Sequence, residues 1–210
     1  MNELREDANH VAVIGMGLRF PGANTPDAFW RNLRDGVESI TFFDEEELEP
    51  PRPRPDILSD PRYVRARPIV DHADQFDATF FGISPREAEI MDPQYRVFLE
   101  CAWNALEDAA YEPARYDGRV GVYGGMGRST YLQRFLAADP VLAERLDDLA
   151  IRVANEKDYL ATRVSYALDL KGPSVSVQTA CSSSLVAVAL ACQALTNRDC
   201  ATWPWPAGSP

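Results

Sequence analysis

The chain has 210 residues, of which 46% are hydrophobic and 25% charged, as in a globular domain and unlike a disordered chain. Its formal net charge of −11 argues against nonspecific binding to nucleic acid or to an anionic membrane. No apolar run reaches the ~20 residues of a membrane span, the polar start lacks a signal segment, and the four cysteines lack metal-ligand spacing, so we predict a cytoplasmic protein without membrane, nucleic-acid or metal partners.

The N-terminal region is predicted to begin with a polar arm, residues 1–9, followed by a first strand. Residues 11–14 are a short apolar run, typical of a buried strand, that leads into Gly15-Met-Gly17. Two glycines after a strand are part of a dinucleotide-binding fingerprint, but the third glycine is missing and Phe20-Pro21 follows instead of a helix. We therefore predict no nucleotide site here.

A first helix is predicted to start at Thr25-Pro26. Threonine is a favoured N-cap residue, and proline is favoured in the first helical turn. Phe29, Trp30 and Leu33 then lie on one face at helical spacing. We predict that this face packs against the rest of the domain.

The next segment is rich in proline and arginine. Residues 50–61 contain five prolines and are predicted to form a surface loop without regular structure. Two interpretations of the arginines stay open: they contact an acidic partner protein, or they are solvated or paired with neighbouring acids. The arginines concerned are Arg52, Arg54, Arg62, Arg65 and Arg67.

Two helix starts follow in the middle of the chain. Ser84 and Glu87 have the spacing of a capping box, in which the serine caps the helix and the glutamate bonds back. Asp92-Pro93 is a second start, for a longer helix that ends near Ala110. Its apolar stripe is predicted to be core: Phe98, Cys101 or Ala102, Ala105, Leu106 and Ala109.

The second half alternates strands and helices, which predicts an α/β fold. Residues 120–123 form a second strand that leads into the glycine-rich residues 124–127. Helices are predicted at about 141–150 and 157–168, the latter with Leu160, Val164 and Leu168 on its apolar face. Residues 169–173 then break the chain before a further strand.

Cys181 lies where this last strand meets a helix. Residues 174–178 alternate serine or glutamine with valine, and residues 182–195 are apolar on nearly every side, which predicts a helix buried all round. Free N–H groups at a helix start favour a thiolate, but a lone cysteine is often a small core residue. Both interpretations of Cys181 stay open on pattern alone, whereas Cys101, Cys192 and Cys200 are predicted to be core residues.

The segment Thr179-Ala-Cys-Ser-Ser-Ser-Leu-Val-Ala resembles the active-site signature of β-ketoacyl synthases, the condensing enzymes of polyketide and fatty-acid synthesis. Further matches cover about residues 10 to 200 in family order, and they are most similar to ketosynthase domains of modular polyketide synthases. They are Val11-Ala-Val-Ile-Gly-Met-Gly, Arg19-Phe-Pro-Gly, Asp77-Ala-Thr-Phe-Phe-Gly-Ile-Ser-Pro-Arg-Glu-Ala, Met91-Asp-Pro-Gln and Asn155-Glu-Lys-Asp-Tyr-Leu-Ala-Thr-Arg-Val-Ser-Tyr.

The resemblance implies that residues 10–199 are the N-terminal part of the domain, the first half of a thiolase-like α/β fold. Cys181 would carry the acyl chain as a thioester before decarboxylative condensation with an extender. No cofactor is implied to bind directly; the phosphopantetheine arm of an acyl carrier protein delivers the substrates, and the family forms homodimers. Tyr95 stands where the family commonly has glutamine or histidine, so we assign it no role.

Condensation in the family also needs two histidines in glycine-rich motifs downstream of the cysteine, and a lysine. Here the candidates His10, His72, Lys157 and Lys171 all precede Cys181. We therefore expect an incomplete ketosynthase that is inactive alone, with a non-catalytic interaction or scaffold fragment as the alternative. A hydrolase is disfavoured, because the residues beside the cysteine are not the glycines of a nucleophile elbow.

Residues 200–210 are expected to be an aberrant tail. In family members the chain continues with a sequence similar to Asp-Met-Ala-Leu-Ala-Gly-Gly. Here prolines interrupt residues 201–208 and would prevent pairing in a central strand. If Thr202 is encoded by ACA and the neighbouring residues by GC-rich codons, residues 201–208 read GCG-ACA-TGG-CCC-TGG-CCG-GCG-GGC, which in a shifted frame encodes Asp-Met-Ala-Leu-Ala-Gly-Gly. We expect a frameshift near Cys200, natural or from sequencing, with an evolved alternative C-terminus as the other explanation.

Overall fold

The computed structural model describes residues 10–48, 54–136, 148–200 and 206–207. Its helices are α1 (Pro26–Asp35), α2 (Pro55–Leu58), α3 (Pro85–Ile90), α4 (Pro93–Asp108), α5 (Asp148–Asn155), α6 (Leu160–Ala167) and α7 (Ser183–Thr196). Its strands are β1 (Gly17–Leu18), β2 (Ile40–Phe42), β3 (Ala66–Pro68), β4 (Val122–Gly124), β5 (Ser174–Ser176) and β6 (Pro206–Ala207). Single turns of 3₁₀ helix occupy Pro113–Arg115, Lys157–Tyr159 and Ala180–Ser182, and a π turn occupies Leu132–Leu136.

The strands pair in twos. β1 with β6 and β4 with β5 are parallel, whereas β2 with β3 is antiparallel. In the pair that matters for the site, Val122 lies opposite Ser174 and Gly124 opposite Ser176. The connection from β4 to β5 contains α5 and α6, as a parallel pair requires a long crossover. The predicted alternation of strands and helices is therefore confirmed.

Side chains cap the three predicted helix starts, and a proline follows each capping residue. Thr25 Oγ1 accepts from Ala28 N at 3.2 Å, Ser84 Oγ from Glu87 N at 3.2 Å, and Asp92 Oδ1 from Gln94 N at 2.8 Å. These bonds satisfy N–H groups that have no partner inside the helix. The capping box also predicts a hydrogen bond from the backbone of Ser84 to the Glu87 side chain. The Glu87 carboxylate instead forms an ion pair with Arg163.

The main core lies between α4, α6 and β4. Leu160, Val164 and Leu168 are buried in it, as predicted. The predicted stripe of α4 is buried at its centre, but the pattern missed two further core residues of this helix, Leu99 and Tyr95. The Tyr95 hydroxyl donates to the carbonyl oxygen of Glu156 and so connects α4 to the residue before the 3₁₀ turn that leads into α6.

A second, smaller core lies on the other face of β4, because Val122 belongs to the main core and the next residue, Tyr123, to this one. Its buried members are Tyr123, Val177, Ala187, Ala191, Ala194 and Cys200. The prediction that α7 is buried all round is wrong in the described structure: only its alanine stripe is buried, and Leu185 is 73% exposed. A uniformly apolar sequence does not by itself supply a neighbour for each face.

The predicted first strand is not formed at residues 11–14, where Val13 is 81% exposed. β1 comprises only Gly17–Leu18, the two residues that pair with β6. The glycines have a different role. A Cβ atom added at Gly15 would lie 2.3 Å from the carbonyl oxygen of Ala105, and one at Gly17 would lie 2.2 Å from that of Cys101. Both glycines therefore let the chain lie directly against the backbone of α4.

The apolar face of α1 is mostly uncovered. Phe29 stacks on Phe20 with ring centroids 4.6 Å apart, but Trp30 is 65% and Leu33 58% exposed. The prediction that all three side chains pack is thus wrong for two of them. Helical spacing determines which residues share a face, and not whether another element covers it.

The proline-rich segment contains a short helix, so the prediction of no regular structure is wrong at Pro55–Leu58. Proline is tolerated there because the first helical N–H would have no partner inside the helix. Four of the five arginines named in the sequence analysis contact neighbouring side chains, which favours the interpretation of local pairing. The fifth, Arg52, lies outside the described residues. The contacts are Arg54–Asp56 at 3.2 Å, Arg62–Asp60 at 2.7 Å, Arg65–Glu45 at 3.7 Å, and Arg67 over the Phe43 ring at 5.0 Å.

Two predicted segments fall largely outside the described residues. Of the helix predicted at 141–150, residues 141–147 lie outside the described residues, and α5 begins at Asp148 and ends at Asn155. In the tail after Cys200, only Pro206–Ala207 lies within the described residues, and it pairs in parallel with β1. No helix in the described ranges has the length and apolar character needed to cross a membrane.

Candidate active site

The junction predicted at Cys181 is present. β5 ends at Ser176, and the next residue, Val177, is buried and donates its N–H to the carbonyl oxygen of Gly124 at 2.7 Å. One 3₁₀ turn, Ala180–Ser182, then leads into α7. Cys181 lies in this turn with its side chain exposed. Its exposure contradicts the interpretation of Cys181 as a core residue.

Hydrogen bonds hold the serine face of β5 against α6. The hydroxyl groups of Ser174 and Ser165 are 2.5 Å apart. Ser176 Oγ donates to the carbonyl oxygen of Asp158 at 3.1 Å and accepts from the N–H of Ala161 at 3.3 Å. The alternation of serine and valine, recognised in the sequence as a strand with two different faces, therefore fixes the end of β5 from which Cys181 follows.

The turn before Cys181 has an unusual backbone. Ala180 has a φ of 54°, in the left-handed region that residues other than glycine rarely adopt. Ser183 Oγ accepts from the N–H of Thr179 at 2.9 Å and donates to the carbonyl oxygen of Ala180 at 2.8 Å. Ser182 Oγ donates to the carbonyl oxygen of Thr179 at 2.8 Å.

The glycine-rich loop after β4 lies against this junction. A Cβ atom added at Gly125 would be 2.7 Å from the carbonyl oxygen of Val177 and 3.1 Å from Ser183 Cβ, so only glycine fits. Gln94 at the start of α4 accepts from the N–H of Gly127 at 2.9 Å. The sequence pattern indicated only a loop here; the available signal was a glycine pair directly after a strand.

The four cysteines are free and differ in environment. Cys101 and Cys200 are buried, as predicted, and Cys192 is partly buried. Burial raises the pKa of the Cys101 thiol to about 12, and burial also raises the pKa of Cys200. Within the described ranges no three metal-ligating side chains gather to form a metal site.

The histidines and lysines that the sequence offers for condensation have other surroundings. The backbone carbonyl of His72 accepts from Arg19 Nη2 at 3.4 Å, in a turn that joins β3 to the segment before α3. Lys171 pairs with Asp169, and Lys157 is exposed in the 3₁₀ turn before α6. His10 is exposed at the first described position.

Cys181 should be alkylated first when the folded chain is treated with limiting iodoacetamide at pH 8. The thiolate is the reactive form, and with a pKa of about 12 the thiolate fraction of Cys101 should be about a thousandfold below that of an ordinary thiol. Mapping of alkylated peptides by mass spectrometry measures the order. In guanidinium chloride the four thiols should react alike, and faster labelling of Cys101 than of Cys181 in the folded chain would contradict the expectation.

The family described as "Beta-ketoacyl synthase, N-terminal domain" matches residues 8–202. Among curated proteins, one subunit of the phenolphthiocerol/phthiocerol polyketide synthase of Mycobacterium tuberculosis is 53% identical over 198 residues, which are 91% of this chain and 13% of that protein. Pikromycin polyketide synthase component PikAII of Streptomyces venezuelae is 42% identical, over 92% of this chain and 5% of its own length. The chain thus spans a small part of these relatives.

Solved ketosynthase structures share the backbone fold of this chain. Ketosynthase twelve of the bacillaene polyketide synthase of Bacillus amyloliquefaciens matches with a TM-score of 0.79 and 36% identity, over 92% of this chain and 33% of that one. A ketosynthase domain of the oxazolomycin synthase of Streptomyces albus matches with a TM-score of 0.75 and 34% identity. These matches confirm the predicted fold class, with the described residues corresponding to the N-terminal part of a thiolase-like fold.

Proposed function

Because the chain belongs to the β-ketoacyl synthase family, whose N-terminal domain matches residues 8–202, we propose that it performs the acyl-accepting step of polyketide synthesis. Cys181 is the proposed nucleophile. The observation that carries the proposal is the exposed thiol of Cys181 in the turn between β5 and α7. The other described cysteines are buried or partly buried, so they are less suited to accept an acyl group from a large donor.

The proposed reaction is a thioester exchange. The thiolate sulfur of Cys181 attacks the carbonyl carbon of an acyl chain that is bound to the phosphopantetheine arm of an acyl carrier protein. A carbon–sulfur bond to Cys181 forms, the bond to the pantetheine sulfur breaks, and the released thiol takes up the proton that Cys181 lost. Cys181 lies next to the start of α7, and the positive end of a helix dipole favours negative charge at this position.

In this proposal the second stage of the family reaction, decarboxylation of the extender and condensation, is not carried out by residues of this chain. Decarboxylation of an extender needs the two downstream histidines and the lysine that the resemblance implies. The two histidines present, His10 and His72, both precede Cys181 in the sequence, and the described contacts of His72 are to Arg19 and Gln75. The proposed role of the 210 residues is therefore acyl acceptance without condensation.

The partners follow from the proposed chemistry. An acyl carrier protein is the donor, with its phosphopantetheine arm as the carrier of the substrate, and no cofactor is bound directly. A homodimer is proposed by analogy with the family alone. Local pairing of the described arginines between Arg54 and Arg67 does not favour that segment as the docking surface for an acidic carrier.

Incubation of the 210-residue chain with hexanoyl-N-acetylcysteamine, which mimics the end of the phosphopantetheine arm, tests the proposal. A mass increase of one hexanoyl group should appear and map to Cys181. The adduct should be lost in Cys181→Ala and kept in Cys192→Ala, which removes a half-buried thiol from the following helix. A folded wild-type chain that takes up no hexanoyl group would refute the proposal.

A second candidate function is a non-catalytic piece that docks on another ketosynthase subunit. The outer face of α7 favours it, because Leu185 is 73% exposed there and Val188, one helical turn further on, is only partly buried. Exposed apolar surface of this kind marks interaction sites. Absence of the hexanoyl adduct, together with stable binding to a purified complete ketosynthase domain, would favour this candidate over acyl transfer.

A further inference from the structure

We propose that Ser183 is a positioning residue for Cys181: its hydroxyl group fixes the turn from which the thiol is presented. The inference deepens the proposed function and rests on it, because positioning matters only if Cys181 accepts an acyl group. Ser183 is the first residue of α7, two positions after the cysteine. Its hydroxyl does not touch the reacting atoms in the proposed reaction, and it acts through the backbone of the turn.

The hydroxyl of Ser183 both accepts and donates a hydrogen bond within the same turn. It accepts from the N–H of Thr179 at 2.9 Å and donates to the carbonyl oxygen of Ala180 at 2.8 Å. These two groups stand on either side of the left-handed Ala180. The bridge therefore stabilises a backbone conformation that alanine disfavours, and it orients the peptide group that leads directly into Cys181.

The neighbouring serines do not provide the same bridge. Ser182 donates to the carbonyl oxygen and to the side-chain oxygen of Thr179, at 2.8 and 3.1 Å, and so contacts only the beginning of the turn. Ser184 has no hydrogen bond to this turn among the described contacts and lies one position further along α7. The Ser183 side chain is also confined on its other side, because a Cβ atom at Gly125 would lie only 3.1 Å from Ser183 Cβ.

The requirement for orientation differs between two reactions of the same sulfur. Attack on a thioester carbonyl needs the sulfur at a defined position relative to the N–H groups that receive the developing negative charge. Alkylation by iodoacetamide needs only access to the thiolate, since this small reagent can approach from many directions. Loss of the Ser183 bridge should therefore slow acyl transfer much more than alkylation.

Four variants of the full 210-residue chain test the inference: Ser183→Ala, Ser183→Thr, Ser183→Val and Ser184→Ala. Thr and Val have nearly the same shape and differ in the hydroxyl, so they separate the hydrogen bonds from packing. Acyl transfer from hexanoyl-N-acetylcysteamine to Cys181 should be about tenfold slower in Ser183→Val than in Ser183→Thr, and about tenfold slower in Ser183→Ala than in Ser184→Ala, as expected for loss of roughly 1.4 kcal/mol. Alkylation of Cys181 should differ less than about threefold within each pair.

All rates are normalised to the folded fraction measured by circular dichroism, so a variant that folds poorly does not mimic the effect. If Ser183→Ala fails to fold, the comparison of Ser183→Thr with Ser183→Val still tests the inference. Equal acyl-transfer rates within both pairs, with only a lower thermal midpoint, would mean that Ser183 merely stabilises the helix start and would overturn the inference. A wild-type chain that takes up no acyl group would overturn the proposed function and the inference together.

Discussion

The 210-residue chain should form no carbon–carbon bond when it receives an acyl thioester and a malonyl thioester, although Cys181 takes up the acyl group. The chemistry after acyl transfer is loss of carbon dioxide from the extender and stabilisation of the resulting enolate. General acid–base groups typically contribute factors of about 10²–10⁴ to such steps, and a single donor to a developing oxyanion about 10²–10³. The 210 residues contain no histidine or lysine after Cys181, so we expect these contributions to be missing from the reaction of this chain.

Radiolabelled malonyl-N-acetylcysteamine with hexanoyl-loaded protein measures the reaction. Chromatography should show the hexanoyl adduct on Cys181 and no labelled β-ketoacyl product above the uncatalysed background. A complete ketosynthase from one of the polyketide synthases serves as the positive control for the substrates. Release of β-ketoacyl product by the 210-residue chain would show that groups of this sequence, such as His72, supply the second stage after all.

Gly17→Ala should cause a large loss of stability. The new Cβ atom would lie 2.2 Å from the carbonyl oxygen of Cys101 and 2.9 Å from the backbone nitrogen of Ala105. Both atoms belong to the backbone of α4, which cannot rotate away as a side chain can. Either β1 or the main core must shift, so we expect a loss of at least ~3 kcal/mol, the upper range for overpacking, out of the ~5–15 kcal/mol of a typical domain.

Urea unfolding followed by circular dichroism measures this loss as a lower midpoint. Gly36→Ala is the matched control, because no atom lies within 4 Å of a Cβ atom at that position and only its φ of 66° is unfavourable. That control should lose ~1–2 kcal/mol. Similar midpoints for the two variants would contradict the close contact between β1 and α4.

Local chemistry made several features predictable from sequence. A proline preceded by threonine, serine or aspartate located the starts of α1, α3 and α4, since a polar side chain before the first turn satisfies free N–H groups nearby in the chain. The junction around Cys181 was predictable for the same reason, because the change from period-two alternation to a continuous apolar run occurs within a few residues.

Features that depend on distant neighbours were not predictable in this way. Trp30 and Leu185 lie on apolar helix faces that the described structure leaves uncovered, and no local pattern reports on coverage. The glycine at position 17 resembled part of a ligand-binding loop until its contact with α4 explained it sterically. The two hydrogen bonds of Ser183 were also hidden, because three consecutive serines look equivalent in sequence and only the backbone geometry distinguishes them.

The unequal size of the two cores has a consequence for motion. α7 rests on the smaller core through three alanines and the partly buried Val186, Leu190 and Leu195, whereas α4 is anchored in the main core. Small side chains bury little surface, so a local opening that releases α7 costs much less free energy than global unfolding. We therefore expect backbone amides of α7 to exchange with solvent while α4 stays closed. In that case α7 opens as a unit of its own, and the lifetime of its closed form limits how long Cys181 stays aligned.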